Sequence, residues 1–255
     1  MALILTPLPG MPSVRVGDDL SELIWQAVQR AGISLQDGDI FVLAQKIVSK
    51  AEGRQVNLTS IVPSEEARQL ALATGKDPRL VELNLQESSE ILRTRPGTII
   101  VEHRLGFVCA NAGIDHSNVA GEGNADEEYV LLLPINPDAS ARQLRTQLEQ
   151  VSGVRLGVMI IDSHGRAWRL GTVGIAIGLA GVPGVVDLRG RNDLYGYQLR
   201  ITEVGAADEL AAAASLMMGQ AAEGTPVIHV RGFPYPLRES SLSELLRPKQ
   251  EDLFR

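Results

Sequence analysis

Apolar positions fall into two patterns along this chain, one typical of helices and one typical of strands. From Leu20 to Ala31 the apolar residues lie three or four apart, which predicts an amphipathic helix that stops at Gly32. Elsewhere the apolar residues form short continuous runs, which predict buried strands. These runs cover residues 40–44, 98–102, 106–110, 129–133, 156–161 and 226–230.

Capping residues predict where further helices begin. Ser64 precedes two glutamates, and Asp77 precedes a proline, and both arrangements are typical of a helix N-terminus. Asp138 is predicted to cap a helix that runs to about Ser152. Residues 209–218 are rich in Ala and Met and predict another helix.

One segment, residues 172–184, fits two structures. Glycines punctuate its small apolar residues, which suits a tightly packed helix. They suit equally well a strand or turn that lets another backbone approach closely. Across the chain, helices and strands alternate without regular βαβ spacing. The sequence therefore predicts α+β layers and argues against a doubly wound parallel sheet.

Composition and charge narrow the classes of function. The net charge is −7, so we expect no nucleic-acid partner. No apolar run approaches the length that spans a membrane, so we expect no membrane partner. The single Cys109 cannot form an internal disulfide and lies in an apolar run, which predicts a core position. Together with a start that lacks a signal-type segment, it predicts a cytoplasmic protein.

Two aspartates carry the candidate chemistry. Asp115 and Asp162 each follow an apolar run that predicts a strand, and Asn118 and Ser163 lie close by in sequence. Such an oxygen-rich pair suits a hard divalent cation in phosphate chemistry. Either aspartate alone is explained as well by a turn that it caps through its own backbone. The pair favours a metal site for Mg²⁺ or Mn²⁺.

Other motifs help to define the chemistry of this site. The chain has no glycine-rich dinucleotide or P-loop motif, and its four histidines do not have zinc-ligand spacing. Gly- and Pro-rich loops at residues 8–12 and 219–224 are candidate phosphate cradles, since exposed backbone amides bind oxyanions. Lys50 can place a positive charge on a phosphoryl group. These residues predict a metal-assisted phosphate or nucleotide enzyme.

Several short motifs are more specific in combination than any is alone. They are SKAEGR at 49–54, NAGIDHSN at 111–118, LLLP at 131–134, DSHGR at 162–166, GRNDLYG at 190–196 and LMMG at 216–219. In this order, and over residues 7–232, the chain resembles the coenzyme F420:L-glutamate ligase family. The resemblance implies an α+β fold of two intertwined subdomains and a homodimer whose two copies both contribute to the active site.

The resemblance also implies a domain plan and an activity. Residues 1–235 would form the ligase unit and residues 236–255 a polar tail, predicted as a short helix, without a nitroreductase-like domain. The activity that the resemblance implies is that of a GTP-dependent ligase, which phosphorylates the carboxylate of the deazaflavin precursor F420-0. The amine of L-glutamate then attacks the acyl phosphate to form an amide, and later glutamates join through γ-linkages. Partners would be GTP, L-glutamate, F420-0, two Mg²⁺ or Mn²⁺ ions, and K⁺ as a further cation.

Site residues follow from the resemblance position by position. It implies the catalytic residues Asp115, Asp162 and Lys50. It implies the metal ligands Asp115, Asp162, Ser163 and Gln220. It implies GTP contacts from Leu8, Pro9, Gly10, Met11, Lys50, Asn118, Gly219, Gln220 and Gly224. Arg166 and Arg169 are further candidates for an anionic substrate, which the resemblance does not itself imply.

Four positions depart from the family pattern. Ser163 stands where threonine is usual, Gln45-Lys46 replaces a small hydroxyl pair, and Gln220 replaces a residue that is often acidic. These changes leave two alternatives open: a ligase that joins another carboxylate to another amine, and a nucleotide-binding protein without turnover. His116 and His164 lie inside the two aspartate motifs, where they are either ligand contacts or supporting side chains.

Overall fold

The computed structural model describes residues 2–119 and 128–253 of the chain. The α-helices are α1 Leu20–Arg30, α2 Gln45–Ala51, α3 Glu65–Thr74, α4 Pro78–Gln86, α5 Pro137–Ser152 and α6 Ala206–Met218. The strands are β1 Ile4–Pro7, β2 Ile40–Ala44, β3 Gln55–Asn57, β4 Ser88–Arg95, β5 Thr98–His103, β6 Val108–Ala110, β7 Tyr129–Leu131, β8 Gly157–Arg166, β9 Arg169–Ala180, β10 Val186–Asp187, β11 Glu203–Val204 and β12 Val227–Arg231. Short 3₁₀ turns are Leu58–Ser60, Asn111–Gly113, Leu242–Glu244 and Lys249–Glu251.

A five-stranded sheet in the order β1-β12-β2-β8-β9 forms the centre of the fold. Strands β2 and β8 run parallel, and the other neighbouring pairs in this sheet are antiparallel. In the smaller antiparallel sheets, β5 lies between β4 and β6, β3 pairs with β7, and β10 pairs with β11. The prediction of a mixed α+β architecture is confirmed.

Both faces of the central sheet are buried, which explains the continuous apolar run of β2. Phe41 and Leu43 point into one cluster with side chains of α1 and α5. Ile40 and Val42 point into a second cluster with α6. Successive residues of a strand face opposite sides, so a strand covered on both faces needs apolar residues at every position. Each side chain of this size contributes about 1.5–3 kcal/mol when fully buried.

Strand β9 resolves the two structures left open for the glycine-rich segment. A Cβ at Gly174 would lie 2.6 Å from the carbonyl oxygen of Ala211 on α6. A Cβ at Gly178 would lie 2.6 Å from atoms of Pro137 at the start of α5. As far as Ala180, the segment is therefore a strand against which helices pack from both sides, and its glycines permit this close approach.

The three-stranded sheet adds to the main core. Ile99, Val101 and Cys109 are buried in the cluster that also holds α1 and α5. Burial raises the pKa of the Cys109 thiol to about 12, and the negative charge of Asp162 adds to that effect. The core position predicted for Cys109 is confirmed.

Two local predictions differ from the structure. Strand β8 was expected to end before Asp162 but continues to Arg166, because residues 162–166 pair with β9. Helix α5 is capped by Asn136, whose side chain accepts from the amide of Ala139. Asp138 instead accepts from the backbone amides of Leu179 and Leu242, so it joins β9 to the C-terminal segment.

The C-terminal segment packs against the rest of the molecule. Over the described residues after 236 it forms two 3₁₀ turns, whereas the sequence predicted a short polar helix. Leu242 is buried in the main core, and Lys249 forms ion pairs with Glu90 and Glu102. Within the described part of the chain, no helix is long and apolar enough to cross a membrane.

Candidate functional site

The candidate site begins where the parallel strands β2 and β8 lie side by side. Ala44 at the end of β2 is the partner of Ile161 in β8. The next residues are Gln45, which opens α2, and Asp162, which remains in β8. Ligands of open sheets commonly bind at the carboxyl ends of parallel strands. The register therefore brings α2 and Asp162 to the same edge.

Asp115 reaches this edge through a tight turn after β6. Asn111, Ala112 and Gly113 all have left-handed backbone angles, with φ of 51°, 51° and 64°. A Cβ at Gly113 would lie 2.7 Å from Leu133, so glycine is required there by space as well as by conformation. After the turn, the backbone of Asp115 exchanges two hydrogen bonds with Leu131, which fixes its position.

A cavity of about 460 Å³ lies over this edge. It has the size of an ordinary small-molecule site. The predicted site residues that line it are Lys50, Asn118, Asp162, Ser163, Gly219, Gln220 and Gly224. The cavity walls also come from Pro12–Val14, the start of α2 and the end of α6. Residues from five distant parts of the sequence thus meet at one cavity.

Asp115 is held beside the cavity by residues of α2. The side-chain amide of Gln45 donates to Asp115 Oδ2 over 2.6 Å, and Ser49 Oγ in turn donates to Gln45 Oε1 over 2.8 Å. The Lys46 ammonium lies 2.6 Å from the same carboxylate oxygen. Gln45 and Lys46 therefore connect Asp115 to the cavity, which both of them line.

Burial and the neighbouring charges shift the pKa of Asp115 in opposite directions. Burial raises the pKa of Asp115, Lys46 lowers it, and the negative charge of Asp162 raises it again. The net direction is upward, so the nearby ammonium does not fully compensate for burial and for the second carboxylate. Burial also lowers the pKa of Lys50, and the charge of Lys46 lowers it further. A cation between the two aspartates would relieve their repulsion.

Ser163 and Gln220 contact each other directly. Ser163 Oγ donates to Gln220 Oε1 over 2.9 Å, and the Gln220 amide donates to Ser215 Oγ on α6 over 3.0 Å. On the same side, Asn118 donates to the carbonyl of Ala221 over 3.1 Å. Two predicted ligand segments, residues 111–118 and 219–224, are thereby joined across the cavity.

Other predicted residues lie beside the cavity or away from it. Leu8 is buried in the core, and its amide donates to the carbonyl of Val227. Pro9 and Gly10 are exposed, and the cavity wall begins just after Met11, at Pro12. Arg166 and Arg169, proposed for an anionic substrate, lie at the exposed tip of the β8–β9 hairpin.

Sequence reasoning did not find the roles of several neighbours. His164 Nε2 lies 2.9 Å from Asp162 Oδ2 and supports it from inside the protein. Two residues of one strand that are separated by one position share a face. The pairing of His164 with Asp162 would have followed from the sequence if β8 had been extended through the motif. The contacts of Gln45 and Lys46 with Asp115 span about 70 residues and left no local signal.

The oxygen donors of the site fit a magnesium-like ion. Among the described residues no group of three or more His, Cys, Asp and Glu side chains could hold a metal. Mg²⁺ is commonly bound through one or two carboxylates, with water and substrate phosphates completing its shell. Asp115 and Asp162 supply this number of carboxylates. Ser163 and Gln220 supply neutral oxygens, so a second ion there would depend more on phosphate.

Comparison with known proteins identifies the family of this chain. The family described as F420-0:gamma-glutamyl ligase matches residues 10–232. A coenzyme F420:L-glutamate ligase of Methanothermobacter thermautotrophicus is 49% identical over all of both chains. The proteins of the same name from Methanopyrus kandleri and Archaeoglobus fulgidus are 46% and 42% identical, over 97% or more of each chain. The chain belongs to the F420-0:gamma-glutamyl ligase family.

Proposed function

We propose that this protein is a GTP-dependent ligase that adds L-glutamate to the coenzyme F420 precursor F420-0. The observation that carries the proposal is a cavity of about 460 Å³ that has Asp162 and two lysines in its wall and Asp115 directly behind them. The family and the names of the relatives supply the substrate class. The cavity supplies opposite charges for the metal and the phosphates of a nucleotide.

The proposed reaction has two steps and needs no reactant other than F420-0, GTP and L-glutamate. A carboxylate oxygen of F420-0 attacks the γ-phosphorus of GTP, and GDP leaves. The amine of L-glutamate then attacks the acyl carbon, loses a proton and displaces phosphate, which forms an amide. A carboxylate is a poor acyl donor until its oxygen becomes part of a phosphate leaving group. Further glutamates are added to the γ-carboxylate in the same way.

We assign some residues of the site to the cations and others to the nucleotide. Asp115 and Asp162 would hold one Mg²⁺ or Mn²⁺, and Ser163 and Gln220 would contribute to a second ion, with K⁺ as a further cation. When bound, these ions neutralise the charge that builds up on the transferred phosphoryl group. Lys50 lines the cavity, and its side-chain ammonium has no hydrogen-bond or ion-pair partner within residues 2–119 and 128–253. We assign its ammonium to the phosphates of GTP.

Backbone and amide groups complete the nucleotide site. The loop of residues 219–224 lies in the cavity wall, and Asn118 is held against it by Ala221. Gly219 has φ of 73°, and a Cβ there would collide with Glu223, whose carboxylate accepts from the amide of Ala221. The amides of this tight loop bind the Glu223 carboxylate, so the loop is able to bind an oxyanion, and we assign to it a contact with the phosphates of GTP. Residues 9–11, which lie next to the wall, would contact GTP, whereas Leu8 is buried and supports this loop from the core.

The proposed assembly is a homodimer of intertwined subdomains. Trp168 and Leu170 are almost fully exposed at the tip of the β8–β9 hairpin. Leu194, Tyr195 and Ile201 are similarly exposed between β10 and β11. Large apolar side chains exposed in this number mark a contact surface. Sedimentation of the wild type should give a dimer, and Leu194→Glu with Tyr195→Glu should give monomers; a monomeric wild type would contradict the proposal.

The decisive experiment is a ligation assay followed by mass spectrometry. Purified protein is mixed with F420-0, L-glutamate, GTP and Mn²⁺ or Mg²⁺. We expect products that carry one or more added glutamates, together with GDP, and no product from Asp162→Asn. A folded protein that binds GTP but makes no product would favour another carboxylate substrate or a role without turnover. Product formed without GTP would contradict the proposed mechanism.

A further inference from the structure

His164 is buried inside the protein directly behind Asp162. It lies two residues further along β8, so both side chains project from the same face of the strand. His164 Nε2 is 2.9 Å from Asp162 Oδ2, and only 6% of the histidine is exposed. Its ring packs against Phe107 at 5.2 Å between centroids. The imidazole is therefore fixed by packing as well as by its contact with the carboxylate.

The second ring nitrogen defines which tautomer the site requires. His164 Nδ1 is buried and has no hydrogen-bond partner among the described residues. An ionised carboxylate can only accept hydrogen bonds, so Nε2 must carry the hydrogen that faces Asp162. The opposite tautomer would leave a buried N–H at Nδ1 unpaired and turn a bare nitrogen toward the carboxylate. Both changes are unfavourable.

Asp162 is thereby anchored through one oxygen and available through the other. The hydrogen bond from His164 uses Oδ2, whereas Oδ1 has no side-chain partner within the described parts of the chain. Asp162 lines the cavity, so the available oxygen belongs to a residue of the cavity wall. Asp115 is arranged in a similar way, because Gln45 donates to it and Ser49 holds Gln45.

We propose that His164 is a positioning residue that holds Asp162, through an Nε2–H···Oδ2 hydrogen bond, in the orientation that ligates a divalent cation. This role rests on the proposed function, in which Asp162 is a metal ligand. Ligating carboxylates are commonly oriented by an outer hydrogen bond, and loss of such a partner weakens metal binding about 10- to 100-fold. His164 itself does not touch the cation or the substrates.

Mn²⁺ affinity of the full chain, measured by electron paramagnetic resonance without nucleotide, tests this role. His164→Phe keeps an aromatic ring against Phe107 but removes the donor, and should weaken Mn²⁺ binding about 10- to 100-fold. His164→Gln can place an amide N–H near the position of Nε2 and should recover most of the affinity. His229 is the matched control, because it is also buried 2.9 Å from a carboxylate, that of Asp39, but does not line the cavity, so His229→Phe should leave Mn²⁺ binding unchanged.

A second measurement detects the hydrogen bond between His164 and Asp162 and needs neither metal nor enzyme activity. In ¹⁵N-histidine NMR of the wild type, His164 should carry its hydrogen on Nε2, and Asp162→Asn should shift that resonance. This measurement tests the contact between His164 and Asp162 even if His164→Phe does not fold. A hydrogen on Nδ1 would overturn the proposed contact.

The outcomes separate this role from the proposed function. Wild-type Mn²⁺ binding that Asp162→Asn abolishes and His164→Phe leaves intact would overturn the role of His164 alone. A wild type that binds no Mn²⁺, or whose binding does not depend on Asp162, would overturn the metal centre and this role together. Weakening by His164→Phe with recovery in His164→Gln supports both.

Discussion

Two carboxylates, one buried and one partly buried, lie near opposite ends of the strand β2, and their surroundings differ. Asp39, just before β2, accepts two hydrogen bonds from Arg231, accepts another from the amide of Gln36, and lies 2.9 Å from His229. Asp115, beside the helix that follows β2, faces one ammonium and one amide but also the charge of Asp162. One carboxylate has every partner it needs, and the other does not.

The pKa shifts of the two groups run in opposite directions. Burial raises the pKa of Asp39, but hydrogen bonds from Arg231 and the contact with His229 outweigh burial and hold it well below its usual value. At Asp115 burial prevails, with Asp162 adding to it, and the pKa is raised. A carboxylate that the protein itself does not compensate is a candidate for a bound cation. Asp39 is structural by the same criterion.

The largest effect on stability should come from replacing Asp39, the carboxylate whose charge the protein compensates. Asp39→Asn leaves Arg231 and His229 without their carboxylate and should lower the free energy of unfolding by about 3 kcal/mol. Asp115→Asn removes a charge that burial opposes and should change it by less than about 1 kcal/mol, although ligation is lost. Urea unfolding of the metal-free protein measures both. Equal losses of stability in the two variants would remove the distinction.

A control for the first prediction lies two residues away from Asp39. Asp37 is more than half exposed, and its carboxylate lies 3.7 Å from Arg155. Exposed ion pairs contribute about 0–1 kcal/mol. Asp37→Asn should therefore have a much smaller effect on unfolding than Asp39→Asn.

Nucleotide binding should depend on Lys50 more than on any lysine outside the cavity. Loss of a hydrogen bond to a charged group costs about 1.5–3 kcal/mol, so Lys50→Ala should weaken GTP binding roughly 10- to 100-fold in calorimetry. Lys76 is the matched control: burial lowers its pKa too, but it donates to the carbonyl of Gly97 away from the cavity. Unchanged affinity in Lys50→Ala would remove the assignment of this lysine to phosphate.

The contributions of Asp39 and Asp115 to stability should also change with pH in opposite directions. Because the folded-state pKa of Asp39 is lowered, its stabilisation is present above the unfolded pKa of about 3.9 and is lost as the pH falls further. Because the pKa of Asp115 is raised, its ionisation opposes folding, and that penalty grows as the pH rises above the unfolded pKa of about 3.9 and is complete above the folded-state pKa. Relative to wild type, Asp39→Asn should therefore recover on acidification, whereas the relative gain in Asp115→Asn should vanish. Urea midpoints between pH 3 and 7 show whether both signs hold.

Local patterns predicted elements whose signals are short-range. The apolar run of β2 and the caps Ser64 and Asp77 are found where the sequence placed them. The polar motif at Asp162 looked like a turn because Asp, Ser and Gly favour turns. It continues as a strand because its partners in β9 lie across a hairpin, and pairing overrides local propensity.

The candidate site was predictable in its residue types but not in its contacts. The motifs named Asp162, Ser163, Lys50 and Asn118, which the structure brings to one cavity. The hydrogen bond from Gln45 to Asp115 joins residues 70 positions apart, and no periodicity encodes such a pairing. Their roles in ligation stay predictions until the assays are done.

The smallest expected effect concerns Lys46, whose ammonium partly compensates the charge of Asp115. Its ammonium lies 2.6 Å from Asp115 Oδ2, where it partly replaces a bound cation. Lys46→Met should therefore tighten Mn²⁺ binding about two- to fivefold, because partly exposed ion pairs are worth about 1 kcal/mol or less. Lys46→Arg retains the charge and should not tighten it. If Mn²⁺ binding weakens in Lys46→Met, the lysine supports the metal geometry instead of competing with it, and Asp115 would then resemble the compensated Asp39 more closely than its raised pKa suggests.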